Sequence, residues 1–127
     1  MIKKIFLIFV ILLCCCNQKD KKIKKIDPKL IDNHNFNLKN GKKVFNKSCI
    51  TCHLYGTAGS ITLYDSLSWS KIINNKPKEE IYSNVINGYM GEKGPMPQKG
   101  GCLDCSNNDL LDAIEYILSI NNLSINN

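Results

Sequence analysis

The stretch Cys49-Ile50-Thr51-Cys52-His53 decides the fold of this protein. Two thiols three positions apart on a tight helical turn can each add to one vinyl group of a porphyrin. The histidine that comes next is then held beneath the iron as an axial ligand. This spacing is typical of c-type haem attachment. We therefore predict one covalent haem, held by Cys49 and Cys52, with His53 on the iron.

A second C-x-x-C pair, Cys102 and Cys105, leaves two other interpretations open. Two such pairs also form zinc sites, but zinc ribbons usually separate the pairs by about 15–20 residues. The gap between Cys52 and Cys102 is far longer, which disfavours a four-cysteine zinc module. A thioredoxin-like redox pair is also disfavoured, because no βαβ pattern surrounds either pair in the sequence.

The iron needs a sixth ligand or an open site, and the sequence favours Met96 as that ligand. Pro95 and Pro97 frame it in an extended loop, which suits a thioether that must point at iron without help from a helix. Soft sulfur stabilises the ferrous state and raises the reduction potential relative to two nitrogen ligands. Met90 and His34 are the rivals. Met90 lacks the proline frame, and we expect His34 to be an exposed linker residue ahead of the first helix.

The first sixteen residues predict an export signal. A positive start, MIKK, precedes an unbroken apolar run at 5–13, about half of the roughly 20 residues that a membrane-spanning helix needs. The stretch Leu13-Cys14-Cys15-Cys16 resembles a lipoprotein cleavage box, which predicts lipidation of Cys16, with Cys15 as the alternative. An ordinary signal peptide, or an uncleaved short anchor with incidental cysteines, is the competing interpretation.

Length and charge constrain the part of the chain beyond the signal. The chain has 127 residues, which argues for one domain. Its net charge of +6 resides in residues 1–29, and the remainder is neutral, which argues against a nucleic-acid module with a basic face. Residues 19–29 are too charged to fold alone and would favour an anionic lipid surface. We predict a signal peptide at 1–16, a lysine-rich tether at 17–37 and a monohaem domain at 38–127.

Helical periodicity predicts an all-α domain of about four short helices. The predicted segments are 38–48, 66–73, 77–87 and 107–120. Pro77 at the first turn and Gly88 as the stop delimit the third segment, and Ser106 with Asp109 forms a capping box before the last. Such a domain has a thin core, so a buried porphyrin would supply much of the missing apolar surface.

Together these residues resemble class I cytochrome c, and within it the small bacterial cytochrome c5 group, over roughly residues 38–120. The resemblance implies the cytochrome c fold, with about four short helices packed around one covalently bound haem. It also implies that the first helix crosses the last, with Gly41 and Phe45 at the crossing and Tyr116 as the aromatic partner. A glycine there has a steric reason, because it lets two backbones approach.

The resemblance implies further site residues. The stretch 95–106 looks very like the c5 segment in which the axial methionine precedes a Gly-Gly turn and a small disulfide loop, so Cys102 and Cys105 should form a disulfide. Trp69 takes the position of the group's tryptophan and is a candidate hydrogen-bond donor to a haem propionate. One departure concerns His53: such cytochromes usually carry a later proline whose carbonyl orients the imidazole, and residues 56–61 contain none, so another backbone carbonyl would have to substitute.

The function implied is one-electron transfer between proteins of a periplasmic respiratory chain, by a carrier anchored to a bacterial membrane as a lipoprotein. Neither enzyme catalysis nor a nucleic-acid partner is expected. Three alternatives remain: a haem-bearing subunit of a larger oxidase or reductase, a haem sensor or enzyme with an open sixth site, and the zinc module.

Overall fold

The structure is a computed structural model that describes residues 26–125. The predicted signal peptide, with the lipidation candidate Cys16, and residues 17–25 of the predicted tether lie outside the described residues. Within residues 26–125, no helix combines the length and the apolar character that crossing a membrane requires.

Short helices dominate the described part of the chain. The α-helices are α1 (Pro28–Asp32), α2 (Leu38–Val44), α3 (Ile50–His53), α4 (Ser66–Asn75), α5 (Lys78–Asn87) and α6 (Asn107–Ile120). A π-helical turn, Phe45–Cys49, joins α2 to α3, and two 3-10 turns occupy Thr57–Gly59 and Gln98–Gly101. Two strands, β1 (Tyr89–Gly91) and β2 (Gly94–Met96), pair as an antiparallel hairpin with Tyr89 opposite Met96.

The predicted all-α class is confirmed, and each predicted helical segment contains an observed helix. Local capping explains where these helices start. The Asn37 side chain accepts from the Asn40 N–H at α2, and the Asp65 side chain accepts from the Ser68 N–H at α4. At α6 the predicted capping box forms, with both hydrogen bonds between Ser106 and the third helical residue present.

The hairpin β1–β2 was not predicted. Each strand has only three residues, and their sequences, YMG and GPM, contain two glycines and a proline. Such strands are too short and irregular to produce a visible alternation of apolar and polar residues. The hairpin matters for the site, because its last residue is Met96.

Helices α2 and α6 cross at Gly41. A β-carbon on Gly41 would lie 2.1 Å from the backbone carbonyl oxygen of Asp112 and 2.9 Å from Cβ of Tyr116. Beside the crossing, Phe45 is buried, and its ring centroid lies 5.7 Å from that of Tyr116. The crossing implied by the resemblance is therefore present, and it depends on the missing side chain of one glycine.

Helix α1 precedes the predicted domain boundary at residue 38, yet it packs on the core. Ile31 is completely buried in a cluster with Tyr82, Leu111 and other apolar residues. The expectation that His34 is exposed is wrong: its side chain is 11% exposed, and Nε2 lies 2.7 Å from Oδ1 of Asp112. Asp112 is buried on α6, and a buried carboxylate needs hydrogen-bond donors. Residues 28–37 thus belong to the folded domain.

Candidate haem site

The two thiols of the attachment motif lie at the end of the π-helical turn and in α3. The Ile50 N–H bonds to the Phe45 carbonyl five residues back, which makes this turn wider than an α-helical one. Cys49 and Cys52 are both free and half-buried. Before a thioether forms, burial raises the pKa of the Cys49 thiol to about 11.

His53 is oriented by a backbone carbonyl of the returning loop. Its Nδ1 lies 2.7 Å from the carbonyl oxygen of Ile61, and a carbonyl can only accept, so Nδ1 carries the proton. The other ring nitrogen, Nε2, therefore keeps its lone pair for a metal. Ile61 thus supplies the carbonyl that a proline usually supplies in the c5-like pattern.

The loop that carries Ile61 is itself held to the attachment motif. Ser60 Oγ donates to the Cys52 carbonyl at 2.8 Å, and the Leu63 N–H donates to the His53 carbonyl. These bonds restrict the loop, so the orientation of the imidazole follows from the fold of residues 53–63.

Trp69 packs beside the histidine, with ring centroids 5.7 Å apart and an angle of 41° between the planes. Its indole N–H donates to the carbonyl of Thr62 at 2.8 Å. An indole has only this one donor, so Trp69 would have to give up its hydrogen bond to Thr62 in order to donate to a haem propionate as predicted. The propionate role stays a prediction. The observed contacts make Trp69 a support for the imidazole and its loop.

Met96 is close to the first attachment thiol. A β-carbon on Gly100 would lie 3.8 Å from Cε of Met96 and 3.9 Å from Sγ of Cys49, so both side chains border the same small space. Met90 is 75% exposed on the hairpin, and the Nε2 atom of His34 is engaged by Asp112. Of the three candidate sixth ligands, Met96 is the one found beside the attachment motif.

The remaining two cysteines are joined to each other. Cys102 and Cys105 form a disulfide with Cα atoms 5.4 Å apart, and both are buried in a cluster with Val44 and Leu110. A four-cysteine zinc site needs thiolates from both pairs. The disulfide removes two of those ligands, which leaves the zinc alternative without its donor set.

The donor chemistry fits a haem. Two free thiols with C-x-x-C spacing can form thioethers, the imidazole has a free nitrogen, and a thioether borders the same space. A soft sulfur and an imidazole are recognised axial ligands of haem iron. An all-α domain with this donor set defines a protein that carries haem of the c type.

Comparison with known proteins leads to the same class. Residues 36–117 match the family described as Cytochrome C oxidase, cbb3-type, subunit III. Cytochrome c-555 of Chlorobaculum tepidum is 33% identical over 78 residues, which is 61% of this chain and 71% of the relative. Cytochrome c-555 of Prosthecochloris aestuarii is 30% identical over 92 residues, 69% of this chain and 92% of the relative. Cytochrome c5 of Ectopseudomonas mendocina is 31% identical over 70 residues, 54% of this chain and 76% of the relative.

The chain belongs to the class I monohaem c-type cytochromes. This confirms the resemblance inferred from the motif, and with it the covalent haem c and the role as an electron carrier rather than an enzyme.

Two features of the site were missed at the level of sequence. The Ile61 carbonyl has no sequence signal, because every residue carries a carbonyl. Ser48, which donates from the attachment segment to the Gly100 carbonyl at 2.6 Å, stands directly before the motif but resembles any exposed helix serine in the sequence.

Proposed function

We propose that this protein carries single electrons in a periplasmic respiratory chain and is anchored to a bacterial membrane as a lipoprotein. Cys49 and Cys52 would hold the haem by thioethers, and His53 and Met96 would ligate its iron. When bound, haem c supplies an iron that changes between the ferric and ferrous states by one electron.

The observation that supports this proposal most directly is that Met96 and Cys49 lie beside the same residue, Gly100. Cε of Met96 and Sγ of Cys49 both come within 4 Å of a β-carbon built there. Together with the free Nε2 of His53, this supports the assignment of one nitrogen and one sulfur ligand. Met96 then raises the reduction potential, because soft sulfur favours the ferrous state. The Ile61 carbonyl holds the imidazole in place and increases its basicity as a ligand.

The chain's own residues also keep the site stable during electron transfer. Leu63, Phe45 and Ile117 form a buried apolar cluster, against which Cys49, Leu54 and Trp69 pack from the attachment side. Apolar packing excludes water and lowers the local dielectric, which is one of the means by which a protein sets a haem potential. A full complement of ligands leaves no open position for substrate, which argues against the sensor or enzyme alternative.

The export and anchoring part of the proposal rests on the sequence and on the disulfide. The 5–13 apolar run and the cysteine box ending at Cys16 support a lipoprotein signal. The disulfide between Cys102 and Cys105 supports an oxidising compartment, since such bonds are rare in the cytosol.

A haem-bearing subunit of a larger oxidase or reductase is the second candidate, and the description of the matching family favours it. The lengths of the relatives favour the separate carrier instead. The chain covers 71% and 92% of two cytochrome c-555 proteins, so those relatives have about the size of one such domain. Isolation of the native protein by size exclusion after mild detergent extraction distinguishes the two: a carrier elutes alone, and a subunit elutes with its complex.

A pair of methionine variants tests the ligation. Met96→Ala removes the sulfur ligand, so the weak far-red band of ferric iron–methionine ligation should disappear and the reduction potential should fall. Met90→Ala is the matched control, because Met90 is 75% exposed, and it should change neither quantity. Loss of the band in Met90→Ala with retention in Met96→Ala would assign the ligand to Met90 and refute the proposal.

A further inference from the structure

A serine side chain ties the segment that begins at Met96 to the haem-attachment segment. We call residues 96–105 the Met96 arm. Ser48 Oγ donates to the carbonyl of Gly100 at 2.6 Å, and both residues are half-buried. Ser48 directly precedes Cys49, so the bond connects the two stretches of chain that carry the proposed axial ligands.

The π-helical turn explains how Ser48 reaches the arm. Because the Ile50 N–H bonds five residues back to Phe45, the turn contains one residue more than an α-helical turn. Phe45 keeps its place in the core, while Ser48 and Cys49 border Gly100. Single π turns inside helices occur frequently at functional sites.

The carbonyl that accepts from Ser48 belongs to Gly100, and the side chains of Met96 and Cys49 lie beside this residue. Gly100 has a left-handed backbone (φ 59°), and a β-carbon there would contact both Met96 and Cys49. The next residue, Gly101, is also left-handed (φ 85°), and its β-carbon would come within 3.6 Å of Ser48 Oγ. Movement of Gly100 away from Ser48 would therefore also move it away from Cys49, which lies on the attachment segment with Ser48.

The Met96 arm is braced within itself. Lys99 Nζ donates to the Cys105 carbonyl at 2.6 Å, and the Gly100 N–H donates to the Pro97 carbonyl at 3.0 Å. The disulfide closes the far end of the arm. An arm with these internal bonds moves as a unit, so its position depends on the contacts that hold it to the rest of the domain.

A second polar link between the two segments is weaker. Lys47 pairs with Asp104 at 2.6 Å, but both side chains are exposed, and exposed ion pairs contribute little to stability. The hydrogen bond that the Ser48 hydroxyl donates is partly shielded from water, so it keeps the stabilisation that an ordinary hydrogen bond provides. The far end of the arm is also held by Cys102 and Cys105, which are buried with Val44 and Leu110. At Gly100, near Met96, Ser48 provides the shielded polar link, so its loss should loosen this part of the arm.

We propose that Ser48 is a positioning residue: its hydrogen bond to Gly100 keeps the Met96 arm docked and sets how readily Met96 leaves the iron. This inference rests on the proposed ligation by His53 and Met96. It adds a residue that touches neither the iron nor a thioether and acts only through the position of the arm.

Imidazole binding to the ferric holoprotein tests the proposal, because imidazole must displace the methionine to bind. Ser48→Ala should bind imidazole about fivefold more tightly than the wild type, because the loss of one neutral hydrogen bond changes an equilibrium constant by about that factor. Ser48→Thr keeps a hydroxyl and should restore the wild-type affinity. Ser119→Ala is the matched control: Ser119 also donates from a half-buried position to a backbone carbonyl, that of Tyr116 at 2.8 Å, but lies on α6.

Variants of Met96 separate positioning from a general loss of stability. In a Met96→Ala background the sixth site no longer holds methionine, so adding Ser48→Ala should leave imidazole affinity unchanged. An equal gain in that background would overturn the positioning role, as would wild-type affinity in the single Ser48→Ala variant. A wild-type ferric spectrum without the iron–methionine band would instead overturn the His53/Met96 ligation on which the inference rests.

Discussion

Replacing Gly41 by alanine tests the crossing of α2 and α6 that positions the attachment segment. The new β-carbon would lie 2.1 Å from the Asp112 carbonyl oxygen and 2.7 Å from its carbon. Ordinary van der Waals contact begins at 3.4 Å, and the obstacle is backbone rather than a movable side chain. The two helices must therefore separate by about 1 Å, which is an overpacking strain rather than a local rotamer change.

The magnitude reflects two opposing effects. Overpacking costs typically about 1–3 kcal/mol, and a backbone obstacle favours the upper end. Alanine is the better helix former by about 1 kcal/mol, which partly offsets the strain within α2. The net loss should be about 2 kcal/mol of unfolding free energy, or a fall of roughly 10 °C in Tm for a domain of this size.

Urea unfolding of the holoprotein, followed by far-ultraviolet circular dichroism, measures this loss. Gly91→Ala is the matched control: its β-carbon would come within 2.9 Å of the Tyr89 ring edge, which is flexible and partly exposed and can move away. Gly91→Ala should therefore change stability little. If Gly41→Ala is as stable as the wild type, the two helices do not approach each other as closely as the structure describes.

Three further predictions concern the histidine loop, the disulfide and the anchor. Ile61→Pro keeps the carbonyl that accepts from His53 Nδ1, so the haem spectrum and potential should stay close to wild type; a changed axial ligation would show that the carbonyl is misassigned. Replacing Cys102 and Cys105 by serine should leave the haem spectrum intact and cost less than the roughly 3 kcal/mol of a 15-residue loop, as urea unfolding would measure; failure to incorporate haem would contradict this. Cys16→Ser should release a soluble protein or leave an unprocessed precursor. Mass spectrometry of the wild-type N-terminal peptide provides the direct check: a mature chain that starts beyond Cys16 and carries no acyl mass would refute the lipid anchor.

The fold was predictable where its signals are local. The capping box at Ser106 and the apolar stripe after it predict a helix over 107–120, which are the observed bounds of α6. The attachment motif is equally local, because the chemistry of two thioethers and a ligand requires five consecutive residues. Class and cofactor follow from that motif, and both are confirmed.

The features that could not be predicted depend on contacts between distant residues. His34 was expected in solvent because it lies in the linker ahead of the first predicted helix, yet its partner Asp112 lies 78 positions away on α6. The role of the Ile61 carbonyl could not be predicted for the same reason, since only the folded loop determines which carbonyl accepts from His53. The π turn at Phe45–Cys49 adds one residue to a helix whose periodicity predicts an ordinary α-helix over 38–48.

The central claim is a covalent haem on Cys49 and Cys52 with His53 and Met96 as axial ligands, exchanging one electron. A redox titration of the purified wild-type holoprotein, followed by its visible and far-red spectrum, tests it most directly. We expect one wave with the slope of a single electron and a far-red iron–methionine band that is present in the ferric state and disappears on reduction. A ferric protein that lacks the band, or one that binds carbon monoxide readily at neutral pH once reduced, would contradict this claim.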